Sequence, residues 1–188
     1  MKIDKLGLKG KVEFLIYQRG VLVDRFVQYN IIVNTGKADT IIALANGTNK
    51  YIARMAIGDQ GTLPSDPTVP KVPEASRDAL YHEIYRQNVD TVSTTTLDDV
   101  NEALFVTTFR AIDVPLTAYS DQVNPVINEV GLIMVNPITG NPMPRPPIAA
   151  PAPADADETL FSIRTFKSVP FEAANETSVS VRYTIFIA

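Results

Sequence analysis

The chain has no cysteine and a single histidine among 188 residues. Without thiols, disulfides, thiolate-built zinc sites and cysteine nucleophiles are all excluded, so stability has to come from packing or from neighbouring subunits. Long apolar runs are missing as well. Nowhere do about 18 apolar residues follow one another, and the opening MKIDKLGLKG carries charge but no apolar core of a signal peptide. Neither a membrane span nor a secretory leader is therefore expected, and the chain should stay in the cytoplasm that makes it until it is assembled. An excess of positive charge is also absent: 17 Lys and Arg stand against 21 Asp and Glu, a net charge of -4. That balance disfavours nucleic acid and anionic membranes as partners. Lys2, Lys5, Lys9 and Lys11, spaced among apolar residues, read as the wet face of a first strand.

What is present is a 45% hydrophobic, 20% charged composition in a length that suits one domain, residues 1–188, burying roughly 70% of its unfolded surface. Period-two alternation dominates. KVEFLIYQRGVLVDRFVQY, Lys11 to Tyr29, predicts a hairpin turning at Arg19-Gly20. NTGKADTIIALANG predicts one short helix, capped by Asn34 or Thr35, stopped at Asn46-Gly47 and burying Ala38, Ile41, Ile42 and Ala45 against a sheet. Further strands are expected at Tyr51 to Ile57, along LYHEIYRQNVDTV, at Ala103 to Asp113, at Val126 to Val135 and at Thr159 to Lys167. The closing strand places Val179, Val181, Tyr183, Ile185 and Ile187 on one face. The expected fold class is mainly β, an antiparallel β-sandwich with one short helix and long proline-rich loops at about 63–74 and 141–158. Prolines at 64, 67, 70 and 73 interrupt the first loop, and NPMPRPPIAAPAPADADE, Asn141 to Glu158, favours extended polyproline chain.

No residue set reaches the threshold of a site: catalytic, cofactor-binding and metal-binding residues are all expected to be none, and no cofactor is implied. His82 lacks a GxSxG nucleophile elbow to serve. The acids Asp98, Asp99 and Glu102, and Asp155, Asp157 and Glu158, lack the length and glycine position of a calcium loop and read as solvated. Gly58-Asp59-Gln60-Gly61 has no P-loop Lys-Ser/Thr and runs into prolines, so it reads as a turn in which Asp59 bonds its own backbone. Glu83 or Glu129 could pair with Arg86 across a sheet, or each could face water.

The succession YNIIVNTGKADTIIALANG, YIARMAIGDQGTLPSDP, LYHEIYR, INEVGLIMV and SVSVRYTIFIA resembles a family of tailed-bacteriophage virion proteins: tail-collar, fibre-base and related neck or baseplate components. The resemblance covers most of Tyr29 to Ala188. Its Leu-x-x-Glu-x-x-Arg element falls on Leu80, Glu83 and Arg86, and its Glu-Val-Gly-Leu element on Glu129 to Leu132. It implies a non-enzymatic virion component, made in the host cytoplasm, that self-associates into a ring or trimer and contacts other tail, neck or fibre proteins. A host-recognition or carbohydrate-binding module, using Tyr119, Asp121 and Asn124 in a loop, is the alternative; a virion-borne hydrolase is a further one.

Overall fold

The computed structural model describes residues 7–46, 50–97, 100–135, 148–149 and 158–187. Its elements in chain order are β1 (Leu8–Gln18), β2 (Val21–Tyr29), β3 (Ile31–Ile32), α1 (Asn34–Asn46), β4 (Tyr51–Gly58), β5 (Thr62–Leu63), β6 (Asp66–Pro70) and β7 (Glu83–Asn88). They continue with β8 (Thr91–Leu97), β9 (Val100–Arg110), β10 (Val126–Val135), β11 (Ile148–Ala149), β12 (Glu158–Pro170) and β13 (Ser178–Ile187). The mainly β, antiparallel sandwich expected from the alternation is the observed fold. One sheet runs β2-β1-β13-β9-β8, a second runs β11-β7-β4-β10-β12-β3, and β5-β6 form a small separate hairpin.

The first sheet obeys simple alternation. Val12, Phe14 and Ile16 of β1 and Val179, Val181 and Tyr183 of β13 point inward, while Lys9 and Lys11 face solvent as expected. Arg19 and Gly20 both take positive φ, the geometry of a tight hairpin turn, so the β1–β2 connection is the one predicted. Between the sheets Phe14 of β1 meets Phe166 of β12 at 4.4 Å between ring centroids and Phe26 of β2 at 4.7 Å. Ser162 of β12 donates a 2.8 Å hydrogen bond to the Tyr183 hydroxyl of β13, tying the two sheets through a fully buried phenol whose pKa burial drives up.

The second sheet is covered on both faces, which is why eight consecutive residues of β10, Ile127 to Met134, are buried. Val130, Leu132 and Met134 enter the core shared with the first sheet. Ile133 faces the other way, into a smaller cluster with Val33, Ala56, Leu80, Leu160 and Ile163 beneath the segment that includes α1 and residues 71–82.

Three expectations need correction. LYHEIYRQNVDTV is two strands in different sheets, β7 and β8, separated by Val89-Asp90, and Leu80 to His82 lie before β7 in irregular chain. The chain changes sheets there: β7, with the adjacent Ile84 and Tyr85 both buried, pairs with β4 in the second sheet, whereas β8 pairs with β9 in the first. The 63–74 loop contains the β5–β6 hairpin, and its end is tied to β12 by Thr165 donating to the Lys71 carbonyl.

The third correction concerns α1, found where predicted but rotated. Ile41 is 66% exposed and Ile42 40%, whereas Gly36 and Asp39 are buried. The polar face turns inward because it is the one that can bond β12. Thr35 donates to the Leu160 carbonyl at 2.9 Å, Val33 N–H to the Phe161 carbonyl at 3.1 Å, and Thr159 to Asp39, which also pairs with Lys50 at 2.7 Å. A Cβ at Gly36 would stand 2.3 Å from the Phe161 carbonyl oxygen, so only glycine lets the helix approach this closely. Gly36→Ala is expected to lower the urea-unfolding free energy by roughly 1–3 kcal/mol, and Ile41→Ser to leave it within about 0.5 kcal/mol. Equal effects would contradict the rotated face.

Candidate functional site

Three of the short sequence elements singled out above meet at one place. The β4 strand delivers Gly58-Asp59-Gln60-Gly61, the irregular chain before β7 delivers Tyr81 and His82, and β10 delivers Asn128 and Glu129. The β10–β12 register slips between Ile127 and Glu129, a bulge that leaves Asn128 without a register partner on β12. Both polar side chains thereby serve the turn.

Glu129 is wholly buried. Its Oε2 accepts the Tyr81 backbone N–H at 2.7 Å, and its Oε1 accepts those of His82 at 2.8 Å and Gln60 at 3.4 Å. Asn128, also buried, accepts the Gly61 N–H at Oδ1 and donates from Nδ2 toward the Asp59 carbonyl at 3.0 Å and the Thr62 and Ser168 hydroxyls at 3.1 Å. These side chains do for an irregular segment what a neighbouring strand does for a ladder: they satisfy main-chain groups that are cut off from water. A Cβ on Gly58 would lie 2.3 Å from the His82 carbonyl oxygen and 2.4 Å from Glu129 Oε1. Gly58 is thus required by close approach, with no positive φ involved.

Asp59 bonds across the chain and not to its own backbone, as the turn reading had it. Its Oδ2 accepts the Ser120 N–H at 2.6 Å, and its Oδ1 lies 3.1 Å from Ser120 Oγ and 2.6 Å from His82 Nδ1. Ser120 Oγ is itself 3.1 Å from the same His82 Nδ1 and accepts from Gln60 Nε2 at 2.9 Å. No motif spacing links Ser120 to His82 and Asp59, which lie 38 and 61 residues before it. Their arrangement differs from a hydrolytic triad, in which acid and nucleophile hold opposite ring nitrogens. Here both sit on Nδ1, so the histidine cannot be oriented by the acid while taking the serine proton at Nε2. The cluster ties the 114–125 connection to the β4 turn.

Beside this node lies a buried ion cluster. Arg86 pairs with Glu83 and with Glu158, and Arg54 reaches Glu158 at 3.0 Å. Burial disfavours the Arg86 charge, but its two carboxylate partners outweigh that and leave its pKa raised. Neither of the two cross-sheet pairs considered is found: Glu83 and Arg86 do pair, but within β7 at i,i+3 and not across strands, and Glu129 is committed to backbone. Glu158, expected to be solvated, is buried between two guanidinium groups. Asp98, Asp99, Asp155 and Asp157 lie outside the described residues, and among the described residues no cluster of three or more His, Cys, Asp or Glu could hold a metal ion. Tyr119, offered above for sugar stacking, is 5% exposed, its hydroxyl directed at the Phe171 carbonyl. Asp121 accepts from Val123 N–H and Asn124 N–H in a local turn. No family model matches this chain, and no curated protein matches it in sequence.

Glu129→Ala would strand buried N–H groups on two segments and is expected to cost roughly 3 kcal/mol in urea unfolding, since each orphaned donor costs about 1–3 kcal/mol. Burial, opposed by the three N–H donors and aided by the Asp59 charge, holds the Glu129 pKa above the ordinary 4.5. The folded chain therefore keeps this proton longer than the unfolded one. The resulting stability is full below pH 4.5 and is lost as pH rises through the raised value. Urea midpoints measured upward from pH 4.5 are expected to show this decline in the native chain and to lack it in Glu129→Gln; parallel profiles would remove the assignment.

Proposed function

We propose that the chain is a non-enzymatic structural component of a tailed-bacteriophage virion, of its collar, neck, tail or baseplate. In this reading it assembles as a symmetric oligomer and docks other virion proteins such as fibres. The observation that carries the assembly reading is a contrast between sheet edges. The second sheet ends in the two-residue strands β11 and β3, whereas the first ends in β2 and β8, nine and seven residues long. Monomeric β proteins blunt long edges with charge, proline or brevity. Here β8 reads TVSTTTL, with neither charge nor proline, and β2, although it carries Asp24 and Arg25, exposes Val21, Leu22, Val23, Val27 and Tyr29. Contact between copies along such edges would pair their main-chain groups and cover these side chains.

The phage assignment is supported by the motif order given above, and the structure lends the motifs a physical reason: the DQG turn, the YH pair and the NE pair hold one another. The carbohydrate-module alternative loses its aromatic platform, because the Tyr119 ring is in the core. Light scattering on the purified chain is expected to give a mass that is a small multiple of 20.6 kDa. Val23→Lys with Val27→Lys is expected to reduce it to the monomer with the circular dichroism spectrum unchanged. A native chain that stays monomeric at high concentration, and that cross-links to no other protein in purified virions, would overturn the proposal.

A further inference from the structure

The strand order fixes the relative sense of the two long edges. Every step across the first sheet, from β2 through β1, β13 and β9 to β8, is antiparallel. These four reversals leave β2 and β8 running in the same direction, and neither has a second neighbour among the described residues. Register also assigns their faces. Val27 and Tyr29 of β2 stand opposite Glu13 and Lys11 on the outer face, and Thr91 and Ser93 of β8 stand opposite Val106 and Leu104 on that same face.

Charge and cover distinguish the two edges. The outer corner at β2 holds Arg25, Lys11 and Arg182 about one carboxylate, Glu13, which Arg25 reaches at 2.5 Å and Arg182 at 3.5 Å. Asp24 lies 3.6 Å from a further cation, Lys167. Cations therefore outnumber acids there, whereas β8 is uncharged and Asp90 and Glu102 beside it are acidic. Val92 of β8 registers with the core residue Phe105 and so points to the inner face, yet it is 54% exposed, because the second sheet does not reach over β8. At the other edge the inner residue Phe26 is packed on Phe14 and on Phe166 of β12. The second sheet thus extends beneath β2, where the inner side of an added strand would rest.

We propose that β2 of one copy pairs in parallel with β8 of the next, a head-to-tail contact that repeats around a closed ring. This inference rests on the oligomeric reading above and specifies its contact. A second copy is the occupant that completes the molecule: one kind of contact consumes both long edges of every chain, whereas a foreign strand on β2 leaves β8 bare. A twofold contact of β2 with β2 also leaves both β8 edges open, and it brings two cationic corners together, which is repulsive. The incoming β8 instead brings no charge of its own and two acids behind it, and its Val92 comes to rest over the covered side of β2. Parallel pairing is slightly weaker per residue than antiparallel pairing. Ring closure offsets this, because a copy leaves only when two contacts break together.

Blocking one edge at a time separates the arrangements by light scattering. Ser93→Lys with Thr95→Lys is expected to give a monomer with an unchanged circular dichroism spectrum, as Val23→Lys with Val27→Lys is. Each of these chains keeps one intact edge, so their equimolar mixture is expected to reach twice the chain mass and nothing larger. A β8 variant that keeps the native oligomeric mass overturns the head-to-tail contact and leaves the assembly reading standing. A native chain that is monomeric overturns both. The lack of native cysteine allows a second test that adds no charge to either edge. Chains carrying Val27→Cys are oxidised alone and after mixing with chains carrying Thr91→Cys, Ser93→Cys or Thr95→Cys, whose substituted residues share the outer face. A mixed disulfide is expected from a mixture, and no disulfide dimer from Val27→Cys chains alone. A Val27→Cys dimer as the main product, or no mixed disulfide from any of the three mixtures, overturns the proposal.

Discussion

The carboxylate of Glu129 is the constraint on which the irregular half of this molecule depends. A buried acid is costly, and it is tolerated here because backbone N–H groups of two different segments point at it. Those N–H groups could not be buried without it. The relation is reciprocal: the main chain of Tyr81 and His82 supplies donors to the buried carboxyl oxygens, and those oxygens make that main chain stable away from any ladder. Asn128, its neighbour, performs the same service for the turn after Gly58. Once these two side chains are fixed by the β10 bulge, the paths of residues 59–62 and 80–82 follow, and Asp59 then holds Ser120 and the connection beyond it.

This arrangement also explains why a molecule with one histidine near an aspartate and a serine need not be a hydrolase. Polar residues placed at this corner are consumed by the architecture. The same holds for Arg54, Glu83, Arg86 and Glu158, which neutralise one another beneath the start of β12. The chemistry left facing outward is of another kind. Among the described residues it consists of the long edge strands β2 and β8 and the exposed isoleucines of α1, in keeping with the proposed contact with other protein surfaces.

The regular part of the fold was legible because period-two patterning is enforced wherever a strand has one wet face. β1, β2 and β13 keep that pattern, and their positions followed from it. Helix α1 was located by its caps but misoriented, because the apolar spacing of Ala38, Ile41, Ile42 and Ala45 competed with specific bonds from Thr35 and Asp39 to β12. Hydrogen-bond partners more than 100 residues away leave no periodic trace. LYHEIYRQNVDTV read as one strand because both halves alternate, and alternation does not say which sheet a residue joins. Glu129 was the hardest to place. A glutamate in an apolar strand suggests a solvent face or a salt bridge, and only the bulge at Asn128 and the approach of Tyr81 and His82 reveal that its partners are backbone. The signal that was available is Asn-Glu flanked by uninterrupted apolar residues, a polar pair with no wet face to occupy.

The most direct test is native-state hydrogen exchange at the Tyr81 and His82 amides. Both lie outside the strands, so no sheet ladder protects them. The account expects them to exchange as slowly as the ladder amides of β10, through global unfolding. Exchange at the rate of an exposed loop, with β10 still protected, would mean that Glu129 does not hold this corner together.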